Sequence, residues 1–479
     1  MRMAFVFCSF MASLLSNQLF HIIIHERMPQ FNRKAQRLPH RRALTSSDGY
    51  TIMLSPKKRG KKHMTPENKA KFDAKWARIR DAVALREPDQ IPMTPSPSIF
   101  PIFHAGHTMA EAIYDESLEI ARSAMLKYLR DFDPDNGTSI SNYLGEGRLM
   151  ELQQPTTMRW SGMPGNPIGD NSLQQFIEFP ILLDDEFDEF FGDRTKWTVN
   201  KSLPRNYDSL KPLESFRLGR GIMGLASAVS KPEMRQMIET LWKINDGYAE
   251  FNKKRAAIHK EIEEAGYPLI RAPWMEAVPF DHYSDFLRGT LLSLADLYER
   301  PEEVHRFIDA TFEETIARIK ASKGVDDGKH VFMALHKGMD GFMSDEHYRE
   351  YYWSHLQQII CALIDAGKVP YIYTEGKYNS RLDCLTEVPP GKVFYHFEEV
   401  DMAEAKRKLG GIACIGGGFS PYLLNYGTKQ QVIDTCKKLI DDCAPGGGFI
   451  FETAYGMDYA KEENVEAMFD TVRNYGKAR

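Results

Sequence analysis

Only six cysteines occur in 479 residues, at positions 8, 361, 384, 414, 436 and 443, and no two form a C-x-x-C pair. In a chain this long, that spacing argues against a disulfide framework and fits a reducing, cytoplasmic compartment. Also missing are a Gly-Lys-Ser/Thr phosphate loop, a dinucleotide fingerprint, a nucleophile elbow and the kinase signatures. There is no basic stripe, and the formal charge of −5 gives no reason to expect nucleic acid. No internal repeat stands out. What remains is an ordinary globular composition, 43% hydrophobic and 27% charged, with material for a sizeable core.

The first 63 residues are unlike the rest. Residues 4–24 are apolar but interrupted by Asn17, Gln18 and His21, which makes a membrane-spanning helix a weak reading. No small-residue cleavage site follows, as an export signal would require. Residues 25–63 carry eleven Lys/Arg against Glu26 and Asp48. Without residues 1–63 the chain keeps 49 basic and 64 acidic groups, a formal −15. The segment reads as a disordered extension, or as a mis-assigned stretch ahead of a true start at Met64, with export signal and anchor as alternatives. A helix start follows directly: Thr65 as cap, Pro66 in the first turn and Glu67 at the positive end of the dipole. Phe72, Trp76, Ile79 and Val83 then share one face.

From about residue 90, apolar strand-like runs alternate with amphipathic helices, the pattern of a parallel sheet. After a short strand at Ile91–Met93, the clear ones are Val331–Leu335, Val369–Tyr373, Val393–Phe397, Ile412–Ile415 and Phe449–Phe451. Helical patterns lie at 345–366, 401–409, 428–442 and 460–474. With about three strands in residues 90–280 the count approaches eight, which predicts a closed (β/α)₈ barrel spanning 64–479. Residues 140–205, rich in Pro and Gly, read as an insertion over one barrel mouth.

In such a barrel, chemistry sits where strands end. Glu375, His396, Cys414 and Glu452 end four successive βα units and are all competent zinc ligands, three of which with one open position would make a catalytic site. Each has a plainer reading as helix cap, barrel histidine, small core residue or substrate contact. His336, also at a strand end, is a candidate to touch substrate or relay protons, and His104 and His107 in FHAGHT are candidates for the same mouth. Arg288 in SDFLRG reads as a substrate contact or, with Asp285, a helix–loop junction. The glycine runs 416–418 and 446–448 are read as tight packing at a pocket floor rather than a phosphate cradle.

The ordered blocks DFLRGTLLSLADLYERPEEV, HKGMDGFMSDEHYREYYWSHL, TEGKYNSRL, DMAEAKRKLGGIACIGG and GGFIFET…KEENVEAMFDTVRNYG resemble the uroporphyrinogen decarboxylase superfamily over residues 64–476. True decarboxylases open their first barrel loop with an arginine-rich RQAGRY-like motif. Here that loop reads MTPSPSIFPIFHAG, so the decarboxylase becomes the runner-up. The H-x-C pair of coenzyme M-type methyltransferases is absent too, its place taken by Thr374-Glu375-Gly376. The chain looks instead like the O-demethylase type, in which a Glu and a His twenty-one positions apart bind zinc, as Glu375 and His396 are spaced. The upstream Glu of that motif is replaced by Ile360, which leaves Cys414 or Glu452 as third ligand.

The resemblance implies that zinc, acting as Lewis acid, helps a small methoxylated or methylamine donor release its methyl group to a corrinoid. No D-x-H-x-x-G cobalamin sequence occurs here, so the corrinoid is expected on a separate protein. A non-catalytic ligand-binding barrel is the third reading. A chain beginning at Met64 is expected to be soluble and as active as the full one, and loss of folding or activity on that truncation would reject the expectation.

Overall fold

The computed structural model describes residues 64–477, so the expectations for residues 1–63 fall outside it. Two short strands, β1 (Met158–Arg159) and β2 (Gln175–Phe176), form an antiparallel pair. Six parallel strands follow in sequential order: β3 (Arg271–Met275), β4 (His330–Leu335), β5 (Val369–Lys377), β6 (Phe394–Glu399), β7 (Cys414–Gly417) and β8 (Phe449–Ile450).

Two further staves close the sheet into a ring without forming regular strands. Phe451 N–H donates to Pro92 O at 2.9 Å and Thr94 N–H to Phe451 O at 3.0 Å, which docks residues 92–94 beside β8. Asp135 N–H donates to Met93 O at 2.7 Å, and Gly137 N–H to Pro268 O at 2.7 Å, which returns the ring to β3. The fold is therefore an α/β barrel, with its first two staves too short and too proline-bound to hold a full ladder.

Around it stand α1 (Pro66–Val83), α2 (Glu119–Phe132), α3 (Gly221–Val229), α4 (Pro232–Glu264), α5 (Pro301–Ala321), α6 (Ser354–Asp365), α7 (Met402–Leu409), α8 (Lys429–Cys443) and α9 (Glu462–Tyr475). The alternation of strand side chains produces two cores. Val331, Met333, Leu335, Ile372, Tyr395, Phe397 and Ile415 face the helices. Phe332, Tyr371, Tyr373, Phe394, Cys414 and Ile450 fill the barrel, where Ile79, Ala82 and Val83 of α1 join them from below. At Gly417, with φ of +88°, a Cβ would overlap the Phe397 carbonyl of the neighbouring strand, so only glycine fits there. As expected, α1 starts with Thr65 accepting from Asn68 N–H at 3.2 Å.

The stretch expected as an insertion, 140–205, contains short helices as well as loops, and irregular or helical chain continues to the end of α4 before β3 begins. Arg288 ties this stretch to the barrel. Its guanidinium, 1% exposed, donates to Asp296 at 2.6 and 3.1 Å, to Leu182 O at 2.7 Å and to Asp184 at 2.7 Å. Each of its three nitrogens donates to a group of the protein, so Arg288 is placed as a structural tie, as in the junction reading, rather than as a substrate contact. Arg288→Ala should lower unfolding free energy by about 3–5 kcal/mol, because buried Asp296 loses its paired guanidinium and keeps only the Tyr283 hydroxyl and the more distant Arg300. Urea titration followed by circular dichroism measures this, and a loss well under 1 kcal/mol would remove Arg288 from that role.

Candidate active site

At the carboxyl ends of the strands, the chain leaving β4 is held by two aspartates. Asp281 accepts from His336 N–H at 3.0 Å, from Lys337 N–H at 2.9 Å and from the Tyr352 hydroxyl at 2.6 Å. Asp285 accepts from His336 Nδ1 at 2.5 Å and pairs with Lys337 Nζ at 3.0 Å. Asp285 lies on a π-helical turn, Ser284–Arg288, and Tyr352 on another, Tyr348–Trp353. Such widened turns re-aim side chains and recur at functional sites.

His336 Nε2 faces Glu375 Oε1 across 3.6 Å, and Glu375 Oε1 has no hydrogen-bond partner among the described residues. Burial alone would lower the pKa of His336, but the charges of Glu375 and Asp285 outweigh it and raise the imidazole to about 10. Burial raises the Glu375 carboxyl to about 7 against the pull of His336. Burial likewise lifts Asp281 to about 6. Glu398 adjoins this group: it accepts from Gly376 N–H at 2.7 Å and from the Tyr373 hydroxyl at 3.3 Å. A cavity of about 10 Å³ beside His336, lined in part by Phe286, Phe332 and Ala334, is too small for more than one water, so a substrate must sit above it.

The four expected zinc ligands do not converge. His396 Nδ1 meets Glu452 Oε2 at 2.5 Å and its Nε2 meets Ala454 O at 2.9 Å. Glu452 also accepts from the Tyr371 hydroxyl at 2.8 Å and from the Thr94 hydroxyl. Register explains why Glu375 is elsewhere: His396 pairs with Tyr373, whose ring stacks on it at 4.3 Å, and Glu375 lies one layer higher. Cys414 pairs with Phe394, one layer below His396, in the barrel core, where burial pushes its thiol well above the ordinary value. Among the described residues no three His, Cys, Asp or Glu side chains are arranged to hold a metal. The residues as placed do not fit the zinc site expected. Ligation by His396 and Glu452 would require them to give up these hydrogen bonds.

Two other candidates stand apart from the mouth. His104 is buried against Phe100 and Phe132, with Nε2 3.0 Å from Asp131 and 2.5 Å from Lys127, on the helical layer. Phe100 to His104 form a short helix where a loop was expected, which turns the ring toward α2. His107 is partly exposed, 3.8 Å from Glu111. Asp281, Lys337, Tyr352 and Glu398 were missed as site residues. Only Glu398 left a signal, its two-residue spacing from His396 on the same strand face.

Residues 275–475 match the family model described as uroporphyrinogen decarboxylase (URO-D). Uroporphyrinogen decarboxylase of Dechloromonas aromatica is 24% identical over 188 residues, 38% of this chain and 52% of that protein. The enzyme of Thioalkalivibrio sulfidiphilus is 24% identical over 185 residues, with 38% and 51% covered. The chain thus spans about half the length of these curated relatives. Among solved structures, a methyltransferase from Methanosarcina mazei superposes with a TM-score of 0.53 at 14% identity, covering 84% of this chain and 98% of that one. The matched stretch runs from the end of β3 through β8, so it is the second half of the α/β barrel that is similar to the uroporphyrinogen decarboxylase family.

Proposed function

We propose that this barrel is a methyltransferase that takes a methyl group from a small methylated compound at its mouth and passes it to a corrinoid on a separate protein. The charge of the mouth is the observation that carries this reading. Asp281, Asp285, Glu375, Glu398 and Glu452 gather there. The cations among them, His336 and Lys337, are each held by Asp285. Arg381, nearby, is spent on Asp345, Gly338 O and Met343 O. A porphyrinogen bearing many carboxylates would meet like charge without an arginine to grip it. The fold shared with the Methanosarcina mazei methyltransferase supports the same reading.

The corrinoid supplies the nucleophile that accepts the methyl group. This chain's residues serve the other half of the bond. The heteroatom that loses its methyl group keeps the bonding pair and needs a proton. His336, still an imidazolium at neutral pH, holds its Nδ1 proton on Asp285 and offers its Nε2 proton toward the mouth. Glu375, with an unused oxygen, receives a hydrogen-bond donor of the substrate. Asp281 and Tyr352 fix the backbone beneath His336, so the ring cannot turn away.

With a methylated-compound panel and a corrinoid protein supplied in trans, the expected result is methylation of the cobalt. Release of carbon dioxide from uroporphyrinogen without any methyl transfer would overturn the proposal. His336→Gln should lower kcat by about 10²–10³-fold, within the usual range for a general acid, with a smaller change in KM. The pH–rate profile should rise through about 7 as Glu375 ionises and fall through about 10 as His336 loses its proton. A His336→Gln enzyme that keeps the falling limb would reject the assignment.

A further inference from the structure

One arginine inside the barrel is left almost unspent. β3 turns Ala272 and Trp274 toward the helices, and Arg271, Pro273 and Met275 toward the lumen. Arg271 and Pro273 are exposed and Met275 is half-buried, whereas Tyr371, Tyr373, Phe394, Cys414 and Ile450 across the lumen are buried. The backbone explains the difference. The stave at 135–137 meets the chain ahead of β3 where Gly137 N–H donates to Pro268 O. Above that point no backbone hydrogen bond joins the two among the described residues. The mouth thus reaches down beside β3, and solvent reaches the guanidinium.

That guanidinium lies over the rings of Phe332 and Tyr371, 4.6 and 4.8 Å from their centroids. The rings hold the planar fork in place without using its N–H groups. Its one hydrogen bond to the described residues runs from Nη2 to the Tyr371 hydroxyl at 3.3 Å, and that hydroxyl donates onward to Glu452 at 2.8 Å. No carboxylate pairs with it among the described residues, whereas Arg288 and Arg381 each have one. A second group points the same way. His330, opposite Arg271 in register and 2% exposed, has no partner for its Nδ1. Burial lowers its pKa to about 4, so it is a neutral ring with a donor to offer. A stacked guanidinium with unused N–H groups beside an orphaned imidazole is suited to a carboxylate.

Resting on the methyl transfer proposed above, we infer that the methyl donor is an anion whose carboxylate is held by Arg271. From Phe332, under the guanidinium, to His336 is four residues of chain, roughly 13 Å at strand spacing. A hydrogen bond of about 2.8 Å at each end leaves roughly 7 Å between the carboxylate and the heteroatom that gives up its methyl group. Phe332, Ala334 and Tyr373 line that interval, so the spacer is apolar. The charge favours a carboxylate over a phosphate, because Glu452 stands one hydroxyl away and would repel a dianion. A single guanidinium balances one carboxylate and not the many of a porphyrinogen.

The test compares charge at constant shape. Para-methoxybenzoate and para-methoxyphenylacetate are titrated by calorimetry into the full chain, beside their neutral amides. At least one acid should bind roughly 10–100-fold tighter than its amide, the worth of hydrogen bonds between charged groups. Arg271→Gln should erase that preference and leave amide binding as it was, and Arg271→Lys should restore part of it. Far-UV circular dichroism should not change, since the Tyr371 hydroxyl keeps Glu452. A wild-type chain that binds neither acid better than its amide overturns the inference. So does an Arg271→Gln chain that keeps the preference, or one that loses acid and amide alike, as a purely structural arginine would dictate. None of these measurements needs turnover. A preference that depends on Arg271 in a chain that transfers no methyl group rejects the reaction and leaves the anion site, whereas transfer from neutral donors alone rejects the site and leaves the reaction.

Discussion

The carboxylate of Asp281 beneath the end of β4 is the contact on which the mouth depends. One oxygen and then the other take the backbone N–H groups of His336 and Lys337, and the Tyr352 hydroxyl completes the set. These are groups that would otherwise be orphaned where the strand stops and no helix has begun. Because the backbone is fixed there, the His336 ring can be held by Asp285 from one side and face Glu375 on the other. A carboxylate in this position costs desolvation, which is visible in its raised pKa. It is tolerated because three donors satisfy it.

The other half of the mouth is of a different kind. His396, Glu452, Tyr371 and Thr94 form a closed network in which each polar atom already has a partner. Networks of this sort stiffen a structure when fully satisfied. A barrel needs such a stiff wall where its eighth strand meets the short stave at 92–94, since few ladder bonds join them. The mouth thus combines a rigid side with a side whose charges are less completely spent.

Much of this was legible in the sequence. Long alternating or apolar runs such as 331–335 and 393–397 announced strands, and Thr65-Pro66-Glu67 announced α1, because those signals are local. The stave at 92–94 was legible as the short strand Ile91–Met93, whereas the one at 135–137 was not, because so short a stretch leaves no periodicity to read. The placing of the site residues failed for a related reason. Strand order made Glu375 and His396 neighbours, but register decides height. Register places His396 opposite Tyr373 and leaves Glu375 a layer above. Cys414 and Glu452 differ in height in the same way. Asp281 and Tyr352 reach the site from separate helical segments, the first from a short α-helix and the second from a π-helical turn that composition does not reveal.

The helix that seals the lower end of the barrel has a kinetic consequence. With Ile79, Ala82 and Val83 packed into the base, the described residues close that end and leave the mouth as the side from which a substrate comes. Whatever enters from above must leave the same way. In the proposed reaction, a large partner settling over the mouth would trap a small molecule already seated there and shut out one that is not. On the proposed function, shape would then impose the order of arrival: small substrate first, large partner second, with the partner's departure gating release of what remains.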